Sequence, residues 1–437
     1  MNRLVIAEGT FQKAVAHLDI SSGVENGLFA TYLQYGDKKI LQTVIEPTET
    51  DWLIREESHL QPSTSYLARA LDTAIAESAG LLFVHTHPLP GHPAESSYAD
   101  KLTFQKIAEV VNGQTQFPFA AAIISQSGWF AEEIQPGQAD TPLVCQRVGT
   151  YIINLSTLEE STRPLDDRQL RALGPANSLL QVLKVGVVGS GGLGSSVAEQ
   201  LTRMGVTIVL IDDDVLDEPS NLRRIYGAKL SDYIKDQPEP KVDVVGRYLT
   251  ELELSPQVET INANVQTNEA HAALKSCDVV ICCTDTDTSR VQLINFPYEF
   301  HIPVIDIGVR VAARTDHTLA GLIAAVRTFT PLSSCAVCNH TINFDKVRLE
   351  NKSKDELDEL KKQGYVPDEF GRLEPSLVAL TTLAAALATN RLIALLTESF
   401  TPSNFKLDGL EPYLTTDRTV APSGNCRYCG HLAKRVG

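Results

Sequence analysis

No block of lysines and arginines occurs in this chain. Its 38 basic residues are outnumbered by 54 acidic ones, for a formal charge of −16. Polyanion backbones bind through clustered cations, so nucleic-acid binding is excluded as a main activity. No sustained apolar core follows the first residues Met1, Asn2 and Arg3, so the N-terminus does not read as a signal peptide. The longest apolar stretch, residues 376–396, is broken by Asn390 and Arg391, which makes it a buried helix rather than a membrane span. Internal repeats and low-complexity segments are also lacking. The composition, 43% apolar and 21% charged, is that of a soluble globular protein. At 437 residues it exceeds one ordinary core, so two or three domains of a cytoplasmic enzyme are expected.

The eight cysteines divide into two kinds. Cys335 and Cys338 form one C-x-x-C knuckle, and Cys426 and Cys429 form another. That is the spacing of a four-thiolate structural zinc site, with paired disulfides as the competing reading. Cys145, Cys277, Cys282 and Cys283 show no such spacing, and the last two adjoin the apolar run 279–281 as buried strand residues.

The pattern changes along the chain. Residues 1–160 mix short strand-like runs with helices near 65–78 and 98–111 and strands at 119–125, 129–133 and 148–155. Residues 135–142 read as a loop, and a polar connector follows at 159–164. From about Asp166 strands and helices alternate. The apolar run 185–188 is the mark of a strand buried on both faces of a parallel sheet. A glycine-rich turn (Gly189, Gly191, Gly192, Gly194) comes next, then a helix over 195–204 and a strand over 206–211 ending at Asp212. This is a βαβ unit whose first turn offers backbone N–H groups to phosphate. Strands at 279–283 and 303–307 extend the sheet.

The most informative segment of the first part is His85-Thr86-His87-Pro88, with Ser97 and Asp100 a short loop later. Histidines two apart at the end of the apolar run 81–84 share one face of a strand. An Asp returning from a short loop completes three ligands and leaves a fourth position for water, as in a catalytic zinc site. The competing reading is two histidines and a helix cap, with Ser97 as N-cap. The pattern resembles the JAMM (JAB/MPN) metalloprotease family, although the loop from His87 to Ser97 is about two residues longer than usual. The resemblance implies that His85, His87 and Asp100 hold zinc, that Glu25 is the general base and that Ser97 helps stabilise the oxyanion. Glu46, Glu49, Glu56 and Glu57 are the other acidic residues competing for the base role.

The glycine turn alone would suit a nicotinamide or flavin dehydrogenase, with Asp212 on the ribose. The charged residues beyond the turn point instead to ATP: Asp212-Asp213-Asp214, Asn221 and Arg224 in Ser-Asn-Leu-Arg-Arg, Lys241, and Thr284-Asp285. Arginine and lysine neutralise a triphosphate, and an aspartate can hold bridging Mg2+. Residues 163–437 resemble the ThiF and MoeB adenylyltransferases and the ubiquitin-activating enzymes. The resemblance implies that Gly189, Gly191, Gly192 and Gly194 cradle the nucleotide and that Asp212 binds its ribose. Asp214 and Asn221 would then line the pocket, Arg224 and Lys241 touch phosphates, and Asp285 coordinate magnesium. Arg168 matches an arginine that reaches a neighbouring subunit's nucleotide, which implies a homodimer, and the C-x-x-C pairs match a structural zinc. Two departures stand out. The crossover segment, residues 339–375, contains no cysteine to form a thioester, and Ile225 stands where glutamine is usual.

The expected fold is therefore α/β: a JAB/MPN-like metalloprotease domain over 1–160, then a Rossmann-like ThiF-type adenylation domain over 161–437. One chain would cleave after the terminal glycine of a small ubiquitin-like (β-grasp) protein and adenylate the freed carboxylate with ATP. Alternatives are trimming and activation of a sulfur carrier, or a modifier-binding protein with one inactive domain. A separate conjugating enzyme or sulfurtransferase would be the onward partner.

Overall fold

The computed structural model describes residues 2–430 except 92, 255–256, 315–317, 368–369, 371–374, 399–403, 411–412 and 418–419. Part of the expected crossover segment, and residues 431–437 of the second domain, thus lie outside the described residues. Two compact units divide between Ser161 and Thr162.

The first unit contains β1 (Arg3–Ala7), β2 (Gly27–Tyr35), β3 (Lys38–Ile45), β4 (Trp52–Arg55), β5 (Leu60–Pro62), β6 (Gly80–Thr86), β7 (Phe119–Ser125), β8 (Gly128–Ile134), β9 (Thr141–Val148) and β10 (Ile152–Asn154). The main sheet runs β1-β3-β2-β6-β7-β8-β9-β10, and β9 also pairs with β1, so the sheet curls until its edges meet. β4 and β5 form a separate two-stranded arm. All seven residues of β6 are buried because both of its faces are covered. Leu82 and Val84 point into a cluster with Ala14 and Leu18, while Leu81 and Phe83 point into one with Tyr66, Phe104 and Ile107. The second cluster packs the helices Thr64–Ala76 and Tyr98–Val111 on one face. β6 and β7 are parallel, so the helix Tyr98–Val111 is their crossover and starts near the carboxyl end of β6. The strand expected over 148–155 is instead two: β9 ends at Val148 and β10 turns back antiparallel to it. The loop expected to reach Pro142 ends at Thr141, where β9 begins, because Pro142 is tolerated at the exposed start of a strand.

The second unit adds β11 (Lys184–Val188), β12 (Thr207–Asp212), β13 (Val258–Asn262), β14 (Val279–Cys282), β15 (Val304–Ala313), β16 (Leu319–Phe329), β17 (Asn404–Asp408) and β18 (Tyr413–Asp417). The order is β13-β12-β11-β14-β15-β16-β17-β18, parallel through β15 and antiparallel beyond. The chain steps outward from β11 to β13 and then returns to the other side of β11 as β14. Between β11 and β14 the winding reverses, which is where open α/β sheets bind ligands. The helix after β11 runs Gly192–Arg203, beginning inside the glycine turn rather than at 195, since the free N–H groups of its first turn need no side chain. The long helix Val378–Thr397 packs on it, with Thr389 donating to Gln200 at 2.8 Å. By length and composition that helix would pass for a membrane span, but half of its most apolar stretch is buried inside the unit.

One buried ionic knot was not foreseen. Asp306 on β15, only 3% exposed, accepts from Arg290 Nε at 2.8 Å and from Arg327 Nη1 at 2.9 Å. Burial alone would raise its carboxyl, yet Arg290 and Arg327 hold it below the usual carboxylate range. Arg290 also grips Asp287 and the carbonyl of Thr284. Removing one member leaves buried charge uncompensated, so Asp306→Ala should destabilise the second unit by about 3–5 kcal/mol, read by denaturant unfolding.

Candidate functional site

In the first unit four side chains converge where β6 ends. His85 is the penultimate residue of β6, stacked on Phe83 with ring centroids 5.8 Å apart, and His87 follows the strand. Asp100 follows the loop as the third residue of the helix Tyr98–Val111, where the sequence places a helix over 98–111. Ser97 is the N-cap: its Oγ accepts the Asp100 amide at 3.2 Å, and its own N–H donates to Asp100 Oδ2 at 2.8 Å. One carboxylate therefore closes the capping box and also faces both imidazoles. Asp100 Oδ1 lies 3.1 Å from His85 Nε2, its Oδ2 lies 3.2 Å from His87 Nε2, and the two imidazole nitrogens are 3.2 Å apart. Of the five acidic candidates, Glu25 is the one that reaches the cluster, with Oε1 at 3.9 Å from His87 Nε2.

These spacings have a physical reading. Ligand atoms about 2.0–2.1 Å from a common tetrahedral centre stand about 3.3 Å from one another. The two imidazole nitrogens stand near that edge length, each lies as close to a different oxygen of Asp100, and Glu25, His85 and His87 each bring a ligand atom within 4.8 Å of the others. His87 Nδ1 lies 3.4 Å from the carbonyl of Pro93, the contact that turns its Nε2 lone pair toward the cluster. Nδ1 of His85 and Oε2 of Glu25 are buried without a hydrogen-bond partner among the described residues. Burial and the nearby Asp100 push the Glu25 carboxyl up to about 8, with His87 opposing. Burial lowers His85. Asp100, which burial would raise, is held far below the usual carboxylate range by its two histidines and Ser97.

Glu25 is placed by its neighbours. A Cβ on Gly27 would meet Leu60 Cδ2 at 2.6 Å and the Val84 carbonyl at 2.9 Å, so only glycine lets β2 start this close to β6 and the arm. The Glu25 amide donates to Glu56 of the arm at 2.8 Å. Thr86, between the two histidines and wholly buried, accepts the Asn26 amide at 2.9 Å and donates its own amide back to Asn26 at 2.8 Å.

In the second unit the glycine turn lies against the carboxyl end of β14. Gly189 has φ +95°, and a Cβ there would touch Cys283 at 3.3 Å. A Cβ on Gly194 would stand 1.8 Å from the Gly189 carbonyl, so the helix approaches the strand as only glycine allows. Gly192 lies against Arg224, whereas nothing crowds Gly191. Asp212, half-buried and raised by desolvation, accepts the Ser190 amide at 2.6 Å and the Asp214 amide at 3.0 Å. Asp214 pairs with Lys241 Nζ at 2.5 Å, and Asn221 Oδ1 accepts from Arg224 at 2.6 and 3.0 Å. Asp285 is exposed in the loop after β14. Arg168 is exposed on the helix Asp167–Leu173, and no described contact brings it to the turn.

The four knuckle cysteines also meet. Cys335 and Cys426 have sulfurs 3.7 Å apart, as do Cys338 and Cys429, and all four cysteines are free thiols. Thiolates about 2.3 Å from one tetrahedral centre lie about 3.8 Å apart, so the donor set fits a four-sulfur zinc and excludes a disulfide. Burial pushes Cys335 up; Cys426, despite burial, is drawn down to about 6 by the amides of Cys429 and Tyr428.

Comparison with known proteins bears on this second unit. The sequence model of the ThiF family matches residues 167–428, more than half of the chain. The chain belongs to the ThiF family. Over 127 residues it is 31% identical to the adenylyltransferase and sulfurtransferase UBA4 of Meyerozyma guilliermondii, covering 29% of each chain. Over 111 residues it is 32% identical to the SAMP-activating enzyme E1 of Haloferax volcanii, covering 25% of this chain and 39% of that one. The match thus spans well under half of either relative's length. E. coli MccB, solved with ATP, aligns with a TM-score of 0.47 at 19% identity over 62% of this chain and 74% of MccB. The ThiF match encloses the glycine turn, Asp212, Lys241, Asp285 and the cysteines Cys335, Cys338 and Cys426, and it ends one residue before Cys429.

Thr86 was not singled out by sequence, although it lies inside the His-x-His signal. Thr86→Val would bury the Asn26 amide unpaired and should cost about 1–3 kcal/mol in denaturant unfolding, whereas Thr86→Ser, which keeps the acceptor, should recover most of it.

Proposed function

We propose that this chain carries two centres acting on the carboxyl terminus of one small ubiquitin-like or sulfur-carrier β-grasp protein. The second unit activates that terminus: a carboxylate oxygen attacks the α-phosphorus of ATP, the bond to the β-phosphate oxygen breaks, pyrophosphate leaves and an acyl-adenylate remains. The observation that carries this reading is the gathering of Asp212, Asp214, Asn221, Arg224 and Lys241 about the glycine turn at the reversal between β11 and β14. Free amides of the helix Gly192–Arg203 face phosphate, Asp212 takes the ribose hydroxyls, and Arg224 and Lys241 balance phosphate charge. A magnesium ion held at Asp285 would neutralise part of the remaining charge. Arg168, exposed and away from this turn, is assigned to the nucleotide of a second copy in a homodimer. The names of the UBA4 and SAMP-activating relatives support adenylation of such a partner.

The first unit would hydrolyse the peptide or isopeptide bond after the terminal glycine. A zinc ion held by His85, His87 and Asp100 would polarise the scissile carbonyl and acidify a water. Glu25, buried beside them, takes the proton and returns it to the leaving amine. Ser97, whose Oγ already accepts an amide, retains its O–H as a donor to the developing oxyanion. Cys335, Cys338, Cys426 and Cys429 would hold a second, structural zinc.

No cysteine occurs in residues 339–375, so the acyl-adenylate passes to a separate acceptor. A separate conjugating enzyme would make the chain a modifier activator. A sulfurtransferase partner, the reading that the UBA4 relatives favour, would make it a sulfur-carrier activator.

The test is ATP–pyrophosphate exchange dependent on a β-grasp protein, run beside cleavage of a glycine-extended form of it. Asp100→Asn should abolish cleavage and leave exchange intact; Asp285→Ala should do the reverse. Loss of both activities in either folded variant would refute two independent centres. Zinc analysis should find Asp100→Asn lacking one equivalent while the four-thiolate zinc stays bound.

A further inference from the structure

The crossover segment does not simply pass over the second unit; it grips the loop that carries Asp285. The helix Asp287–Gln292 begins two residues after Asp285, and its first amides have no partner within the helix. Glu350, at the end of the helix Phe344–Glu350, supplies one from more than sixty residues away. Its Oε1 accepts the Asp287 amide at 3.2 Å, and its Oε2 accepts the Thr288 amide and hydroxyl, each at 2.8 Å. The grip is reciprocal: Asp287 Oδ2 accepts the amide of Asn343, the N-cap of the Glu350 helix, at 2.9 Å. Asn351 donates to the Thr288 hydroxyl at 3.1 Å.

The two peptide carbonyls preceding and following Asp285 are each held by a cation. Arg290 Nη2 donates to the Thr284 carbonyl at 2.9 Å, and Lys346 Nζ donates to the Asp285 carbonyl at 3.1 Å. Arg290 is itself locked by Asp306. Lys346 is oriented by Glu350, 3.5 Å away. Only the Lys346 side of this bracket comes from the crossover segment, and Glu350 anchors it.

We propose that Glu350 is a positioning residue that sets the Asp285 carboxylate for the magnesium of the nucleotide complex, so that the crossover segment is part of that site. This role rests on the reading of Asp285 as the magnesium ligand. Glu350 touches neither nucleotide nor metal; it acts through the backbone of residues 285–288 and through Lys346. A carboxylate has two acceptor oxygens for three N–H and O–H donors, whereas glutamine has one acceptor and turns an N–H toward an amide. Glu350→Gln should therefore fall between wild type and Glu350→Ala.

The experiment uses the full chain and two readouts besides turnover. Hydrogen exchange monitors the Asp287 and Thr288 amides, and calorimetry measures ATP affinity with magnesium and in its absence. In Glu350→Ala the two amides should exchange faster and magnesium should bind the ATP complex about tenfold more weakly, the scale on which outer partners tune metal ligands. ATP affinity without magnesium should stay unchanged, and Glu350→Gln should show an intermediate magnesium affinity. Faster amide exchange with wild-type magnesium affinity would overturn the proposal, leaving Glu350 as a docking contact only. Equal loss of ATP affinity with and without magnesium would overturn it too. Should the wild type bind magnesium and ATP, with Glu350→Ala weakening magnesium as expected, yet support no pyrophosphate exchange with β-grasp proteins, the adenylation reading fails and the positioning role stands.

Discussion

Both candidate centres depend on one geometric constraint: two parallel strands need a crossover, and a crossover helix starts beside the carboxyl end of the strand that feeds it. In the first unit β6 pairs in parallel with β7, and the helix Tyr98–Val111 begins near His85 and His87. In the second, β11 pairs in parallel with β12, and the helix Gly192–Arg203 begins at the glycine turn. The helix start brings orphan N–H groups to the place where the buried strand delivers its last side chains. The two units answer those N–H groups differently. One fills them with a capping box that also aims a carboxylate at two imidazoles, while the other leaves them without a side-chain cap.

Asp100 shows how much one residue is asked to do. As the third residue of its helix it accepts the Ser97 amide, and that bond fixes the rotamer that sets its oxygens 3.1 and 3.2 Å from the two histidines. A helix cap is worth about 1 kcal/mol, small against the cost of burying a carboxylate. The carboxylate is 4% exposed, so the two imidazoles and the amide must together supply its solvation. The Glu25 oxygen and His85 nitrogen beside it are buried polar atoms with no hydrogen-bond partner among the described residues. Such atoms are costly in a plain core and are expected where a ligand completes the set.

How much was legible in the sequence depends on how local each signal is. His85, His87, Ser97 and Asp100 lie within sixteen residues, and a strand, a turn and a helix start suffice to bring them together. The same is true of the glycine turn, where Gly194 meets Gly189 across one turn of backbone. The break between β9 and β10 was missed because the run 148–155 carries no strong turn residue beyond Gly149, and its reversal is dictated by strand pairing. The Arg290–Asp306–Arg327 knot was invisible for a similar reason: three charged residues on a helix and two strands gain meaning only once β15 and β16 are paired. Thr86 sat in plain view, but its bond to Asn26 crosses sixty residues.

The Glu350 contacts belong to a segment, residues 339–375, that contains no cysteine. Hydrogen bonds between Asn343, Lys346, Glu350 and Asn351 on one side and residues 285, 287 and 288 on the other hold that segment to the loop after β14. Each is worth about 1 kcal/mol, somewhat more where a carboxylate is the acceptor, and together they outweigh thermal motion several-fold. Their combined effect is order at the loop where Asp285 sits.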